Sequence, residues 1–204
     1  GGGILHSRTR IARAPPRPLN GLTLCAPVRP EPGEGIANMA KAAVLERLAS
    51  APEFTPGPGC TPDQIAKLET FAGGRVPQDY REFLVLCGCA IWDGGKLFGC
   101  YELGSLLPDS IDLDAARRTK DWREDVPEGC FTPAPRSGLV VSDDDSGGFY
   151  FLNVGSKKNG AVDHYVFGEG EDNAPTESWP SFTKLVEALL DQSKRRPYGH
   201  ITRR

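Results

Sequence analysis

Residues 138–154, GLVVSDDDSGGFYFLNV, decide the reading of the fold. Gly138 to Ser142 and Phe149 to Val154 are aliphatic, β-branched and aromatic runs, which fit a pleated, half-buried surface. Between them, Asp143-Asp144-Asp145-Ser146-Gly147-Gly148 supplies the short polar side chains and glycines that close turns. Strand, polar turn and strand predict an antiparallel hairpin. A second polar turn, Gly155 to Gly160, leads to a third strand over Val162 to Phe167.

The pattern on either side of this hairpin is helical. Downstream, Phe182, Leu185, Val186, Leu189 and Leu190 recur at i, i+3, i+4, i+7 and i+8 behind a capping Ser181, which predicts a core-facing amphipathic helix. Upstream, Thr61 is placed to cap, Pro62 stands at the first helical position and Gln64 completes a capping box. Ile65, Leu68 and Ala72 form one face, and Gly73-Gly74 end that helix. A second short helix is expected from Pro77, burying Tyr80, Phe83, Leu84 and Cys87 before Gly88. Ile91 to Leu107, broken by Gly94-Gly95, Gly99 and Gly104, suits brief strands and turns. Leu113 to Trp122 suits a surface helix, and Pro52 to Gly59 reads as a linker. Helices, hairpins and a closing helix together predict an α+β domain built on a mainly antiparallel twisted sheet with flanking helices.

The 204 residues, 39% hydrophobic and 25% charged, suffice for one sizeable core. No stretch approaches the roughly 20 apolar residues of a membrane helix. The formal charge of −3 conceals an uneven distribution. Residues 1–38 hold five Arg against two Glu, and residues 194–204 hold five Lys plus Arg with no acid, so residues 39–193 carry −11. The first segment, with Pro15-Pro16, Pro18, Pro27, Pro30 and Pro32 and no apolar periodicity, is expected to be a disordered basic extension. Met39, the chain's only methionine, opens the amphipathic stretch Ala40 to Leu48 and reads as the natural initiator, with 1–38 read as translated upstream sequence or a dispensable arm; 39–193 is the expected domain and 194–204 a basic tail. Six cysteines without a secretory signal read as reduced thiols in a cytoplasmic protein.

Three segments in this order, TPDQIAKLETFAGGRVPQDYREFLVLCGC, LVVSDDDSGGFYFLNV and VDHYVFGEGEDNAPTESWPSFTKLVEALL, resemble the SUKH superfamily over about residues 61–190. That superfamily includes bacterial immunity proteins against polymorphic toxins and yeast cell-wall assembly regulators. The correspondence runs through Glu69 to Gly73, Val76-Pro77 with Tyr80 and Phe83-Leu84, Gly147-Gly148 with Phe149-Tyr150, and Ser181-Phe182 with Leu185. One departure is Gly88-Cys89, where many relatives carry Asn-Gly after the helix. The resemblance implies a cytoplasmic immunity protein that neutralises a cognate toxin without catalysis; the alternative is a regulatory or scaffold interaction module.

No G-x-S-x-G element, H-E-x-x-H helix or phosphate-cradling loop stands in a suitable context, so an enzyme is not expected. Asp143-Asp144-Asp145 lacks EF-hand spacing and reads first as turn chemistry, second as an acidic contact. Cys87-x-Cys89 lacks the second ligand pair that zinc would need from Cys100, Cys130 or His164, and reads as two small buried hydrophobes. No metal and no cofactor are expected. The −11 body repels phosphates and disfavours nucleic acid as the main ligand, whereas a basic protein, such as a nuclease-type toxin, is attracted. Acids and neighbouring aromatics are the candidate partner-binding residues: Trp92, Asp93, Asp143, Asp144, Asp145, Glu169, Glu171, Asp172 and Trp179.

Overall fold

The computed structural model describes residues 34–101, 113–125, 138–144, 147–166 and 174–195. In chain order the elements are α1 (Glu34–Ser50), β1 (Phe54–Pro56), α2 (Pro62–Ala72), α3 (Gln78–Leu86), β2 (Ala90–Trp92), β3 (Gly95–Leu97), β4 (Cys100–Tyr101), β5 (Leu113–Asp114), α4 (Ala115–Asp125), β6 (Gly138–Asp143), β7 (Gly148–Asn153), β8 (Val162–Val166), β9 (Glu177–Trp179) and α5 (Phe182–Arg195). Seven strands make one antiparallel sheet in the order β1-β2-β3-β6-β7-β8-β9, and β4 pairs with β5 in a small second sheet. The α+β architecture agrees with the expectation.

The central hairpin forms as its sequence dictates, with Leu139 opposite Leu152 and Val140 opposite Phe151. The pairing then slips between Val140 and Ser142, so that Ser142 faces Tyr150 and Asp143 faces Phe149. A bulge of this kind inserts one residue and shifts the phase of every side chain after it. Asp143 therefore stands on the face that carries Phe149 and Phe151. It belongs to the strand and not to the turn.

That face is covered by α4. Its Trp122 ring meets Phe151 edge-on at 4.5 Å and Phe149 at 6.4 Å, and the Thr119 hydroxyl accepts the Val140 N–H at 2.8 Å. The segment expected as a surface helix thus closes one side of the core. On the other face Leu139, Leu152 and Val162 are fully buried, and α1, α3 and α5 pack on one another in a second helical layer. Tyr80, Phe83 and Phe182 form an aromatic cluster there with centroids 4.9 to 5.9 Å apart. All five periodic residues of α5 are buried.

Local signals act where expected. Gln64 N–H donates to Thr61 Oγ1 at 3.3 Å while Gln64 Oε1 accepts the Thr61 N–H at 2.8 Å, and Gly73 closes α2 at φ 74°. Gly88 takes φ 65° after α3, supplying directly the left-handed turn for which an Asn-Gly pair is not needed. Two readings change. Pro52 to Gly59 is no plain linker, because Phe54 to Pro56 add an edge strand opposite Trp92, Ile91 and Ala90. Helix α1 starts at Glu34, just past Pro32, and so reaches back ahead of Met39. Residues 1–33 and 196–204 lie outside the described residues.

Candidate functional site

The register brings several of the candidate residues to one end of the sheet. β2 runs toward this end and turns at Asp93-Gly94 into β3; Trp92 lies opposite Gly95, and Lys96 opposite Asp143. β6 arrives at the same end and turns through Asp144 and Gly147 into β7, while β8 arrives with Tyr165 and Val166 opposite Phe149 and Gly148. β9 departs from it with Glu177 opposite His164. Asp93, Asp144 and Glu177 are therefore strung along one rim. At about 4.8 Å per strand the rim is roughly 20 Å wide. Asp93 and Glu177 are exposed and Asp144 is half-buried.

Asp144 is held by its own turn. Its Oδ1 accepts the Gly148 N–H at 2.8 Å, and its Oδ2 lies 3.4 Å from His164 Nε2. A Cβ on Gly148 would collide with both of those groups, so the glycine keeps open the space in which carboxylate and imidazole meet. His164 in turn stacks on Tyr150 at 4.3 Å, and its Nδ1 hydrogen-bonds the Thr176 hydroxyl at 2.9 Å. Thr176 also donates its N–H to the His164 carbonyl at 2.9 Å. One imidazole thus ties the β6–β7 turn to the segment that leads into β9. Burial pushes the Tyr150 hydroxyl up to about 12, and the charges of Asp144, Glu177 and Asp143 push in the same direction.

Asp143 departs from the expected role. It is 7% exposed, and its carboxylate faces Lys96 Nζ at 3.6 Å and Arg118 Nη2 at 3.5 Å. The bulge turns it onto the α4 face, where Arg118 also lies over the rings of Phe98 and Phe149. Its charge is spent inside the fold. Trp92 is half-buried, packed on Phe54 at 5.3 Å and lying over Gly95. Trp179 is half-buried on the far edge strand, opposite Val162 and packed on Tyr150 at 5.6 Å. Five strand steps, about 24 Å, separate the two tryptophans' strands, so they do not form one aromatic patch. Asp145, Glu169, Glu171 and Asp172 lie outside the described residues.

Sequence reasoning left out Glu177 as a contact and His164 and Thr176 as the joint of this rim. Strand alternation could have put His164 beside Tyr150, but β9 is too short and too polar to announce its register. Cys87 and Cys89 are buried at the turn after α3 as small apolar groups, and burial raises their thiols to about 11 and about 12. Among the described residues, no group of three or more His, Cys, Asp or Glu is placed to hold a metal ion, and no helix is long and apolar enough to cross a membrane.

The sequence profile of the SMI1 / KNR4 family (SUKH-1) matches residues 59–188. The fold is similar to that in the crystal structure of a protein from Pseudomonas syringae pv. tomato, with a TM-score of 0.50 at 17% identity, covering 72% of this chain and 96% of that one. No curated protein matches the sequence.

Proposed function

Because the chain belongs to the SMI1 / KNR4 family (SUKH-1), we propose that it is a non-catalytic binding protein, an immunity protein that captures and neutralises a basic cognate toxin, of nuclease type, at the acidic rim of its sheet. The observation that carries this reading is the convergence of Asp93, Asp144 and Glu177 on one sheet end within a body of −11 charge. Like charges held along a rim attract a basic surface over a Debye length, which speeds encounter and selects partners. Nuclease domains present such basic surfaces because they bind phosphates. Occlusion of the toxin's active site, or of a face it requires, gives neutralisation with no chemistry by the immunity protein.

The proposal expects a toxin domain encoded beside this gene, and co-expression of the two tests it. Rescue of growth together with co-purification of a stoichiometric complex is the expected result. Growth arrest without a complex, in cells that accumulate the folded protein, removes the immunity reading and leaves the regulatory or scaffold module.

A further inference from the structure

Helices α1 and α3 enclose an apolar groove of about 260 Å³, lined by Ala42, Leu45 and Glu46 of α1 and by Glu82, Val85 and Leu86 of α3. Leu45 is buried, whereas Val85 is 58% and Leu86 46% exposed. Met39, Ala42 and Glu46 follow one another at i, i+3 and i+7, so the same stripe of α1 continues toward its start, where Met39 is 75% exposed. Contiguous apolar side chains left in water mark a contact surface. Two carboxylates border it. Among the described residues neither Glu46 nor Glu82 forms an ion pair; Glu82 accepts the Gln78 side-chain amide at 3.0 Å, and the neighbouring Arg81 is taken by Glu69 at 2.8 Å.

The chain carries a matching segment next to this groove. Residues 1–33 lead directly into α1 and hold five Arg against one Glu. Within them Arg17 and Arg29 bracket Leu19, Leu22, Leu24 and Val28, and in an extended chain Leu22 and Leu24 point to one side. At a rise of about 1.5 Å per residue, Ala42 and Glu46 lie about 12 and 18 Å along α1 from Glu34. Leu24, ten residues before Glu34, reaches up to about 33 Å and arrives with length to spare. Pro30, Pro32 and Gly33 stand where the chain has to reverse. We propose that residues 17–29 turn back along α1 and lay Leu22 and Leu24 in the groove, with Arg17 and Arg29 meeting Glu46 and Glu82, so that the chain plugs its own α1–α3 face. The tether decides the occupant. A short linker sets an effective concentration in roughly the millimolar range, at which two buried leucines are enough. A separate chain needs about 1,600 Å² for a stable contact, which a groove for two side chains does not supply. The composition that keeps residues 1–38 from building a core of their own still lets a short piece order on a ready-made surface. None of this depends on what the acidic rim binds.

The test keeps the full chain and reads the groove from both helices. With Val85→p-benzoylphenylalanine, irradiation at low micromolar concentration and peptide mapping should give intramolecular cross-links to residues 17–29. Leu22→Asp/Leu24→Asp should abolish them, and Arg17→Glu/Arg29→Glu should reduce them severalfold at low salt. Met39, the chain's only methionine, gives a second readout that needs no unnatural residue. With hydrogen peroxide its sulfoxide should form several times more slowly in the parent chain than in Leu22→Asp/Leu24→Asp. Cross-links to residues 196–204 would make the basic tail the occupant, a cross-linked dimer would make it a second copy, and no cross-link within the protein would leave the groove open; each overturns the proposal. A parent chain whose Met39 oxidises as fast as that of Leu22→Asp/Leu24→Asp overturns it as well, and this measurement decides even if the Val85 variant fails to fold.

Discussion

The Asp79 carboxylate, 4% exposed in the first turn of α3, accepts both the backbone N–H of Thr183 at 2.9 Å and its hydroxyl hydrogen at 3.1 Å. The two residues are 104 positions apart. One oxygen thus satisfies orphan donors at the N-terminus of α5 and pins the closing helix to the first helical pair, while the other accepts the Tyr80 N–H at 3.0 Å.

Asp79→Ala should therefore cost about 2–3 kcal/mol, since it leaves buried donors without an acceptor. Asp79→Asn retains one acceptor oxygen and should cost about half as much. Chemical denaturation of both variants, with Thr183→Val in a double-mutant cycle, checks this. Additive losses would show that the two side chains are not coupled.

How far the fold was legible follows the range of the interaction responsible. Thr61, Pro62, Gln64 and Gly73 are neighbours in sequence, and they bound α2 within a residue of the expected positions. The α5 stripe was readable for the same reason. β1 was not, because Phe54 to Pro56 become a strand only by pairing with β2, and nothing in a Pro- and Gly-rich stretch announces that partner. The acidic rim was half legible: the acids were visible, but the bulge after Val140 decides that Asp143 turns inward while Asp144 stays at the rim. Register is a property of two strands, and one strand's composition does not contain it.

Gly148 gives a prediction about the joint. A methyl group there would intrude on Asp144 Oδ2 and His164 Nε2. Gly148→Ala should separate the two groups, loosen the β6–β7 turn and cost about 1–2 kcal/mol. The His164 ring resonances and the Trp179 emission, which senses Tyr150 and its stacked imidazole, should both shift. Unchanged spectra with unchanged stability would show that the turn absorbs the methyl and that the contact does not organise the rim.

The buried thiols at the α3 turn predict an alkaline limit to stability. Burial raises Cys87 to about 11 and Cys89 to about 12, from an ordinary 9.0. In the unfolded chain they ionise near 9.0, so above that pH unfolding releases protons that the native state retains. Their contribution is complete below pH 9.0 and is lost as pH rises through about 11 and 12. Urea midpoints should fall steadily between pH 9 and 11, and less steeply in Cys87→Ala/Cys89→Ala. An equal slope in that variant would assign the effect to the tyrosines.

Asp143 and Asp144 separate the structural from the electrostatic use of adjacent acids. Asp143→Asn removes the charge that faces Lys96 and Arg118 and should cost about 1–3 kcal/mol of stability. Because that charge is already neutralised within the fold, its loss should leave the association rate with a basic partner nearly unchanged. Neutralising the rim with Asp93→Asn, Asp144→Asn and Glu177→Gln should do the reverse, lowering the association rate about tenfold at low salt and flattening its dependence on ionic strength, with a small effect on stability. Stopped-flow association of the folded variants with the partner at several salt concentrations measures both. If the rim variant associates at the parent rate while Asp143→Asn slows, the contact face lies on the α4 side of the sheet and the rim acids serve only their turns.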